Sequence, residues 1–168
     1  MVGTELYRVD GPWRGKLALA ARPRGGEWLE DEIASWQRQG VDTVFSLLTG
    51  DEERELDLAG ERDAVRSAGL KFLSFPIEDR KVPESETALR EAVEQLDEEL
   101  AAGKHVALHC RQGIGRTGLV AACLLLTRGI DAKTAVARLS KARGTDVPET
   151  PEQRRWIDHF AGSLAARR

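Results

Sequence analysis

The segment from Lys104 to Thr127, KHVALHCRQGIGRTGLVAACLLLT, constrains the fold more than any other part of the chain. Its first six residues have the short apolar pattern of a buried strand. The run GLVAACLLL is apolar on nearly every helical face, which predicts a buried helix. A buried strand joined to a buried helix by a glycine-containing turn is typical of an α/β domain. We therefore expect a sheet with helices packed against it.

Other segments alternate between these two patterns. Apolar runs predict strands in KLALAARP, VDTVFSLL and LKFLSFPI. Periodicity and caps predict helices in EWLEDEIASWQRQG, SETALREAVEQLDEELAAG, DAKTAVARLSKARG and TPEQRRWIDHF, and one more after the acidic stretch TGDEERELDLAGERD. The alternation predicts one α/β domain over residues 1–168, with a central, mostly parallel sheet flanked by helices and with consecutive helices in the C-terminal half.

Charge and cysteine content restrict the partners and the compartment. The net charge is −3 at pH 7, so we expect no nucleic-acid partner. The longest apolar run, LVAACLLL, is too short to cross a bilayer, and the N-terminal residues lack a signal-peptide pattern, so we expect no membrane span. Cys110 and Cys123 fit neither a disulfide framework nor a zinc site, which favours a reducing, cytoplasmic location.

Cys110 directly follows the predicted strand, at the end where ligands bind in open α/β sheets. The residues after it must turn the chain into a helix. Such a turn aims backbone N–H groups at one point and forms an anion-binding nest, to which the helix N-terminus adds its dipole. The residues expected to bind the anion in this way are Arg111, Gln112, Gly113, Ile114 and Gly115.

Arg116 and Thr117 add chemistry to this turn. The Arg116 guanidinium can bind two oxygens of a phosphate, and the same positive field favours the thiolate of Cys110. The Thr117 hydroxyl could donate a hydrogen bond to the Cys110 sulfur and help it to leave when an intermediate breaks down. A lone buried cysteine is usually a packing residue, but these neighbours together favour a nucleophile.

The stretch HCRQGIGRT matches the His-Cys-x5-Arg-Ser/Thr signature of the protein tyrosine phosphatase superfamily, which the chain resembles from about Leu17 to Phe160. The run GIGRTGLVAACLLL looks particularly like the group around the cyclin-dependent kinase inhibitor-associated dual-specificity phosphatases. The resemblance implies a dual-specificity phosphatase-like fold and a phosphomonoester hydrolase that needs neither metal nor cofactor. It also implies that His109 tunes Cys110 through hydrogen bonds, although an isolated buried histidine is more often a satisfied core residue.

The segment FPIEDRKVP follows another predicted strand end, on the Cys110 side of the sheet, where a carboxylic acid could protonate the leaving group. The family places its general acid in a Pro-Ile-x-Asp loop, and Asp79 occupies that position. Glu78 is the neighbouring candidate. The alternative for Asp79 is a solvated turn residue, which is common in loops bounded by proline.

Several further features have a structural and a functional interpretation. We interpret Cys123 as a core residue rather than a redox partner of Cys110. Gln153 is interpreted as the N3 residue of a capping box in TPEQ, with water positioning as its alternative. The acidic run 51–57 is interpreted as a solvated face rather than a surface that steers a basic substrate, and Arg111 as an exposed side chain that helps to attract phosphate.

The sequence restricts the identity of the substrate less than it restricts the type of reaction. The acid loop lacks the Trp-Pro-Asp motif, and Ile114 stands where inositide phosphatases often carry lysine, which favours a compact tyrosine or dual-specificity protein phosphatase. A phosphatase of a small molecule, lipid or nucleotide is one alternative, and a phospho-binding regulator without chemistry is another. We expect a phosphorylated protein or a small phosphomonoester as partner, and the sequence indicates no oligomeric state.

Overall fold

Five strands form the sheet that positions the candidate site. The computed structural model describes residues 3–167. The strands are β1 (Tyr7–Val9), β2 (Leu17–Ala20), β3 (Thr43–Ser46), β4 (Lys71–Ser74) and β5 (Val106–His109), in the spatial order β1-β2-β5-β3-β4. Strands β2, β5, β3 and β4 run parallel, whereas β1 pairs with β2 antiparallel. The predicted α/β class with a mostly parallel sheet is confirmed.

Helices cover both faces of this sheet. They are α1 (Leu29–Arg38), α2 (Gly50–Glu55), α3 (Glu61–Ser67), α4 (Glu86–Ala101), α5 (Gly115–Thr127), α6 (Ala132–Arg143) and α7 (Pro151–Ala166). Because successive side chains of a strand point to opposite faces, the strands supply two separate apolar clusters. Leu108 of β5 packs in the cluster with α4 to α7, and Ala107 packs in the cluster with α1 and α3.

Side-chain caps begin three of the helices where the sequence predicts them. Ser85, Asp131 and Thr150 each accept a hydrogen bond from a backbone N–H of the first turn that follows. The capping box between Thr150 and Gln153 is present, as predicted. These caps fix the N-terminal ends of α4, α6 and α7.

Two elements differ from the sequence expectation. The patterns do not predict β1, because Tyr7–Val9 is a three-residue edge strand with little periodicity to detect. The acidic stretch forms the additional helix α2 before the expected helix α3. A capping box between Thr49 and Glu52 begins α2 and turns the Glu52 side chain toward the interior.

Helix α5 lies inside the molecule, with 12 of its 13 residues buried. This confirms the prediction from its apolar surface on all sides. The carboxyl ends of the parallel strands β3, β4 and β5 meet at one edge of the sheet, and α5 begins at that edge five residues after Cys110. None of the helices within residues 3–167 has the length and apolar content that a bilayer crossing requires.

Candidate active site

The Cys110 loop, residues 110–116, joins β5 to α5. Cys110 is 2% exposed, and its Sγ accepts a hydrogen bond from the Gly113 amide at 3.3 Å. Gly113 has a φ of 74°, a conformation that favours glycine. A Cβ on Gly113 would lie 2.5 Å from the carbonyl oxygen of Ala20, so the absence of a side chain lets the loop approach the end of β2.

Arg143, at the end of α6, supports the outer side of the Cys110 loop. Its Nε and Nη2 donate hydrogen bonds to the carbonyls of Gly113 and Gln112, at 3.2 Å and 3.0 Å. Its guanidinium carbon also lies 4.1 Å from the centre of the Tyr7 ring in β1. A loop whose carbonyls bond outward can present its N–H groups inward to an anion. The sequence analysis missed Arg143, because nothing near it in the chain points to the loop.

Arg116 is 1% exposed and lies among acceptors. Its Nη1 and Nη2 donate to the Glu52 carboxylate at 2.7 Å and 2.9 Å, and Nη1 also donates to the Ile77 carbonyl at 2.7 Å. Nη2 lies 3.1 Å from Asp79 Oδ1. Burial is the largest single effect and opposes the positive charge, but the hydrogen bonds with Glu52 together with the nearby carboxylate charges outweigh it, so the pKa of Arg116 is raised above its usual value. Arg116 therefore carries a buried, oriented positive charge.

Glu52 is a site residue that the sequence analysis missed. It lies in the acidic run interpreted as a solvated face, and for this residue the interpretation is wrong, since Glu52 is 6% exposed and bound to Arg116. Burial would raise the pKa of Glu52, but hydrogen bonds from Arg116 and from the Thr49 amide lower it below its usual value. The signal that could have found it is the capping box Thr-x-x-Glu directly after a strand.

Arg111, expected to be exposed near the site, is partly buried and paired. Its side chain is 32% exposed, pairs with Glu55 at 3.2 Å and lies 3.6 Å from Glu52. The hydrogen bond with Glu55 raises the pKa of Arg111 above its usual value. The carboxylates of α2 hold this guanidinium at the rim of the loop, and its help in attracting phosphate stays a prediction.

The acid loop, residues 76–84, follows β4 and lies over the Cys110 loop. Of its two candidate acids, the structure brings Asp79 beside Arg116, with the Asp79 side chain 46% exposed. The Glu78 side chain forms no hydrogen bond or ion pair with any residue that the structure describes. The geometry therefore favours Asp79 over Glu78 as the carboxyl group at the site.

Thr117 is placed beside the site, but the predicted hydrogen bond to Cys110 is absent. Its Oγ1 is buried and has no hydrogen-bond partner. The Cys110 sulfur accepts its hydrogen bond from the Gly113 amide instead. The structure therefore does not contain the expected hydrogen bond from Thr117 to the Cys110 sulfur.

His109 is fully buried at the end of β5. Its Nδ1 lies 3.2 Å from the Cys110 carbonyl oxygen, and its Nε2 lies 2.6 Å from Glu61 Oε2, in a carboxylate that is also fully buried. His109 is thus a satisfied core histidine that also contacts the backbone of Cys110. The sequence analysis missed Glu61, which lies 48 residues from His109 in the chain.

Cys123 lies in the buried middle of α5 as a free thiol. Burial raises its pKa well above the usual value, which keeps it protonated. This agrees with its interpretation as a core residue. Residues 3–167 contain no group of three or more His, Cys, Asp or Glu side chains that could hold a metal ion.

The site combines three chemical functions at one edge of the sheet. A buried guanidinium and a glycine-containing loop at a helix N-terminus can bind an oxyanion. The Cys110 thiol lies at the base of that loop, and a half-exposed carboxyl group of Asp79 lies above it. Such a site can combine anion binding, nucleophilic attack and proton transfer.

The chain is similar to known proteins over most of its length. Residues 18–130 match the family model described as polymorphic toxin system, DSP-PTPase phosphatase. The chain is 30% identical to human cyclin-dependent kinase inhibitor 3 over 129 residues, which cover 76% of this chain and 60% of that protein. It is 28% identical to the rat protein over 140 residues, which cover 82% and 66%. The chain thus spans less than two thirds of the length of these relatives.

A solved structure shows the same fold over nearly the whole chain. The crystal structure of kinase associated phosphatase, with its catalytic-site cysteine substituted by serine, matches with a TM-score of 0.89. The match covers 99% of this chain and 98% of that chain at 23% sequence identity. At this identity the likeness establishes the fold alone.

Proposed function

We propose that this chain, which belongs to the DSP-PTPase phosphatase family, is a cysteine-dependent protein phosphatase that hydrolyses phosphotyrosine and also phosphoserine or phosphothreonine. The observation that carries the proposal is the convergence of Cys110, Arg116 and Asp79 at the carboxyl edge of the sheet. Family membership supports a protein substrate over the small-molecule, lipid and nucleotide alternatives. The presence of all three groups supports catalysis over phosphate binding alone.

In the first step, the Cys110 thiolate attacks phosphorus in line with the leaving oxygen. A sulfur–phosphorus bond forms, and the bond from phosphorus to the leaving oxygen breaks. Asp79 donates its proton to that oxygen, so the leaving group departs as a neutral alcohol or phenol. Arg116 and the amides of residues 111–116 hold the equatorial oxygens, which is the main electrostatic contribution.

In the second step, water attacks the cysteinyl-phosphate. The Asp79 carboxylate takes a proton from the water as the new phosphorus–oxygen bond forms. The sulfur–phosphorus bond breaks, and Cys110 leaves as a thiolate, to which the Thr117 hydroxyl donates a hydrogen bond. Inorganic phosphate is released, and no metal or cofactor takes part in either step.

Arg116 exchanges partners when the substrate binds. Its Nη2 donates to Asp79 Oδ1 in the structure, and a phosphate oxygen would replace that carboxyl oxygen as acceptor. The bond from Nη1 to Glu52 can persist, so Glu52 keeps the guanidinium oriented. Asp79 is then released toward the leaving oxygen.

The thiol chemistry also supports a reducing compartment. Cys110 and Cys123 are both free, and the proposed reaction requires Cys110 as a thiolate. Reducing conditions keep such a thiol available, so we place the protein in the cytoplasm.

The decisive experiment is hydrolysis of p-nitrophenyl phosphate by purified protein in the presence of EDTA, with Cys110→Ser alongside. We expect turnover by the wild type and none by the variant, because serine is a far weaker nucleophile at this site. The variant should still bind tungstate, which shows that the loop is intact. Wild-type inactivity, or activity near wild type in Cys110→Ser, would contradict the proposal.

A further inference from the structure

Gln153 joins the start of α7 to the acid loop. It is fully buried, and its Oε1 accepts hydrogen bonds from the amides of Glu149 and Thr150, both at 3.1 Å. These bonds are the helix cap. Its Nε2 takes no part in the cap and donates to the Lys81 carbonyl at 3.1 Å, 72 residues away in the chain. The two ends of one amide group therefore serve two different segments.

Asp79 lies within the turn 78–81, which is closed by a 3.0 Å hydrogen bond from the Lys81 amide to the carbonyl at the start of the turn. Just before the turn, the Ile77 carbonyl accepts a hydrogen bond from Arg116 Nη1. At the end of the turn, the Lys81 carbonyl accepts the hydrogen bond from Gln153. The segment that carries Asp79 is thus fixed on both sides, and Gln153 fixes its exit.

The same amide lies against the Cys110 loop. A Cβ on Gly115 would be 2.9 Å from Gln153 Oε1, so the Gln153 side chain fills the space beside the first residue of α5. An ion pair of 2.8 Å between Arg80 and Glu149 also links the acid loop to the residues before α7. Those side chains are 61% and 29% exposed, and exposed pairs contribute little. Together with Arg116, Gln153 is therefore a buried link between the two loops.

We propose that Gln153 is a positioning residue for the general acid, which holds the turn 78–81 so that Asp79 points at the leaving oxygen. This inference rests on the proposed function and assigns Gln153 to the first chemical step. It differs from water positioning, because Oε1 already accepts two hydrogen bonds and Nε2 faces Lys81. Without the hydrogen bond from Gln153 to Lys81, the turn is free to move about Ile77. Proton transfer from Asp79 then becomes slower, while attack by Cys110 keeps its rate.

The test compares two phosphate esters with leaving groups of different basicity. Gln153→Met keeps the length of the side chain but removes its hydrogen bonds. We expect kcat/KM to fall about tenfold for phenyl phosphate, whose leaving group needs a proton. For 2,4-dinitrophenyl phosphate the loss should be less than about twofold, since this leaving group departs without one. Gln153→Asn, which is too short to reach both partners, should give the same selectivity and serves if the Met variant does not fold.

Two controls separate positioning from helix capping. Thr150→Ala removes the other half of the capping box, so we expect it to lower the melting temperature without changing the ratio of the two rates. In an Asp79→Asn background, Gln153→Met should cause no further loss with phenyl phosphate, because the group it positions is already inactive.

Three results would overturn the inference: equal losses on both esters, the same selectivity from Thr150→Ala, or losses that add fully in the Asp79→Asn background. A role in breakdown of the cysteinyl-phosphate would instead lower kcat on both esters and leave kcat/KM unchanged, because the leaving group departs before that step. If the wild type hydrolysed neither ester, the proposed function itself would fail, and the two failures are therefore distinguishable.

Discussion

Thr117 carries a fully buried hydroxyl group without a hydrogen-bond partner. Such an unpaired group costs about 1–3 kcal/mol of stability, so a folded protein retains it for a reason. Thr117 follows Arg116 in the chain, and seven residues before it lies Cys110, whose sulfur becomes a leaving group in the proposed second step. We interpret the Thr117 hydroxyl as a hydrogen-bond donor to the Cys110 thiolate that forms during the reaction. In the resting protein the unpaired hydroxyl lowers the stability of the fold.

This interpretation predicts opposite effects of Thr117→Val on stability and on rate. The melting temperature should stay the same or rise, because valine removes the unpaired group and keeps the shape. Turnover should fall about tenfold, the equivalent of one hydrogen bond of about 1.4 kcal/mol. Stopped-flow measurement should show a burst of p-nitrophenol, since breakdown of the intermediate is slowed. Thr117→Ser should restore turnover, and a Val variant with wild-type turnover would contradict the interpretation.

At the residue level, the sequence reveals chemistry that is local in the chain and misses chemistry that is not. Cys110, Arg116 and the loop glycines lie within seven residues, so their spacing alone suggests an anion site. Glu52 lies 64 residues from Arg116, and although a capping box marks it, nothing in the acidic run indicates that it pairs with Arg116. Its role depends on how α2 packs against the start of α5, which no local pattern encodes.

At the level of elements, the strongly periodic and apolar segments were predictable. Helix α5 is buried on all sides, as its composition indicates, and β5 lies at the centre of the sheet between β2 and β3. The edge strand β1 was missed because only tertiary pairing with β2 defines it. The turns in the loops were predictable, since glycines mark them. The close approach of one backbone segment to another that those glycines permit was not predictable.

The connection between β5 and α5 can be tested with a matched pair of glycine variants. Gly113 and Gly129 have φ values of 74° and 86°, but a Cβ on Gly129 meets nothing within 4 Å, whereas one on Gly113 meets the Ala20 backbone at 2.5 Å. Gly129→Ala should cost about 1 kcal/mol of unfolding free energy and leave tungstate inhibition unchanged. Gly113→Ala should cost more and weaken tungstate inhibition at least about tenfold, since the loop must move away from β2. Equal tungstate inhibition in both variants would refute this account of the loop.

At the scale of the whole molecule, buried carboxylates link parts of the chain that are far apart in sequence. Glu32 in α1 accepts hydrogen bonds from the Thr4 amide at 2.8 Å and from Arg24 Nε at 2.6 Å. Glu52 binds Arg116 in the same manner, although the two residues are 64 positions apart in the chain. Removing one partner of such a pair takes away part of the compensation for burying the charge of the other. The fold therefore depends on these groups remaining ionised.

The direction of the pKa shifts determines how stability changes with pH. Burial would raise the pKa of Glu32, but hydrogen bonds from Arg24 and Thr4 lower it below the usual value of 4.5, and the shift for Glu52 has the same sign. Below 4.5 the unfolded chain takes up these protons before the folded chain does, so protonation favours unfolding. The stabilisation is complete above that pH and is lost as the pH falls through the lower, folded-state pKa values.

Replacing Glu32 by glutamine tests this account away from the proposed catalytic groups. At pH 7, Glu32→Gln should lower the unfolding free energy by about 2 kcal/mol, because charge-assisted hydrogen bonds to Thr4 and Arg24 are lost. The difference between wild type and variant should shrink as the pH falls below 4.5, since the unfolded wild-type chain then takes up a proton before the folded chain does and the variant has nothing to titrate there. Urea unfolding at a series of pH values measures both quantities. A difference that stays constant across this range would show that Glu32 stabilises the fold by shape rather than by charge, and its lowered pKa would then contribute nothing to the acid sensitivity of the protein.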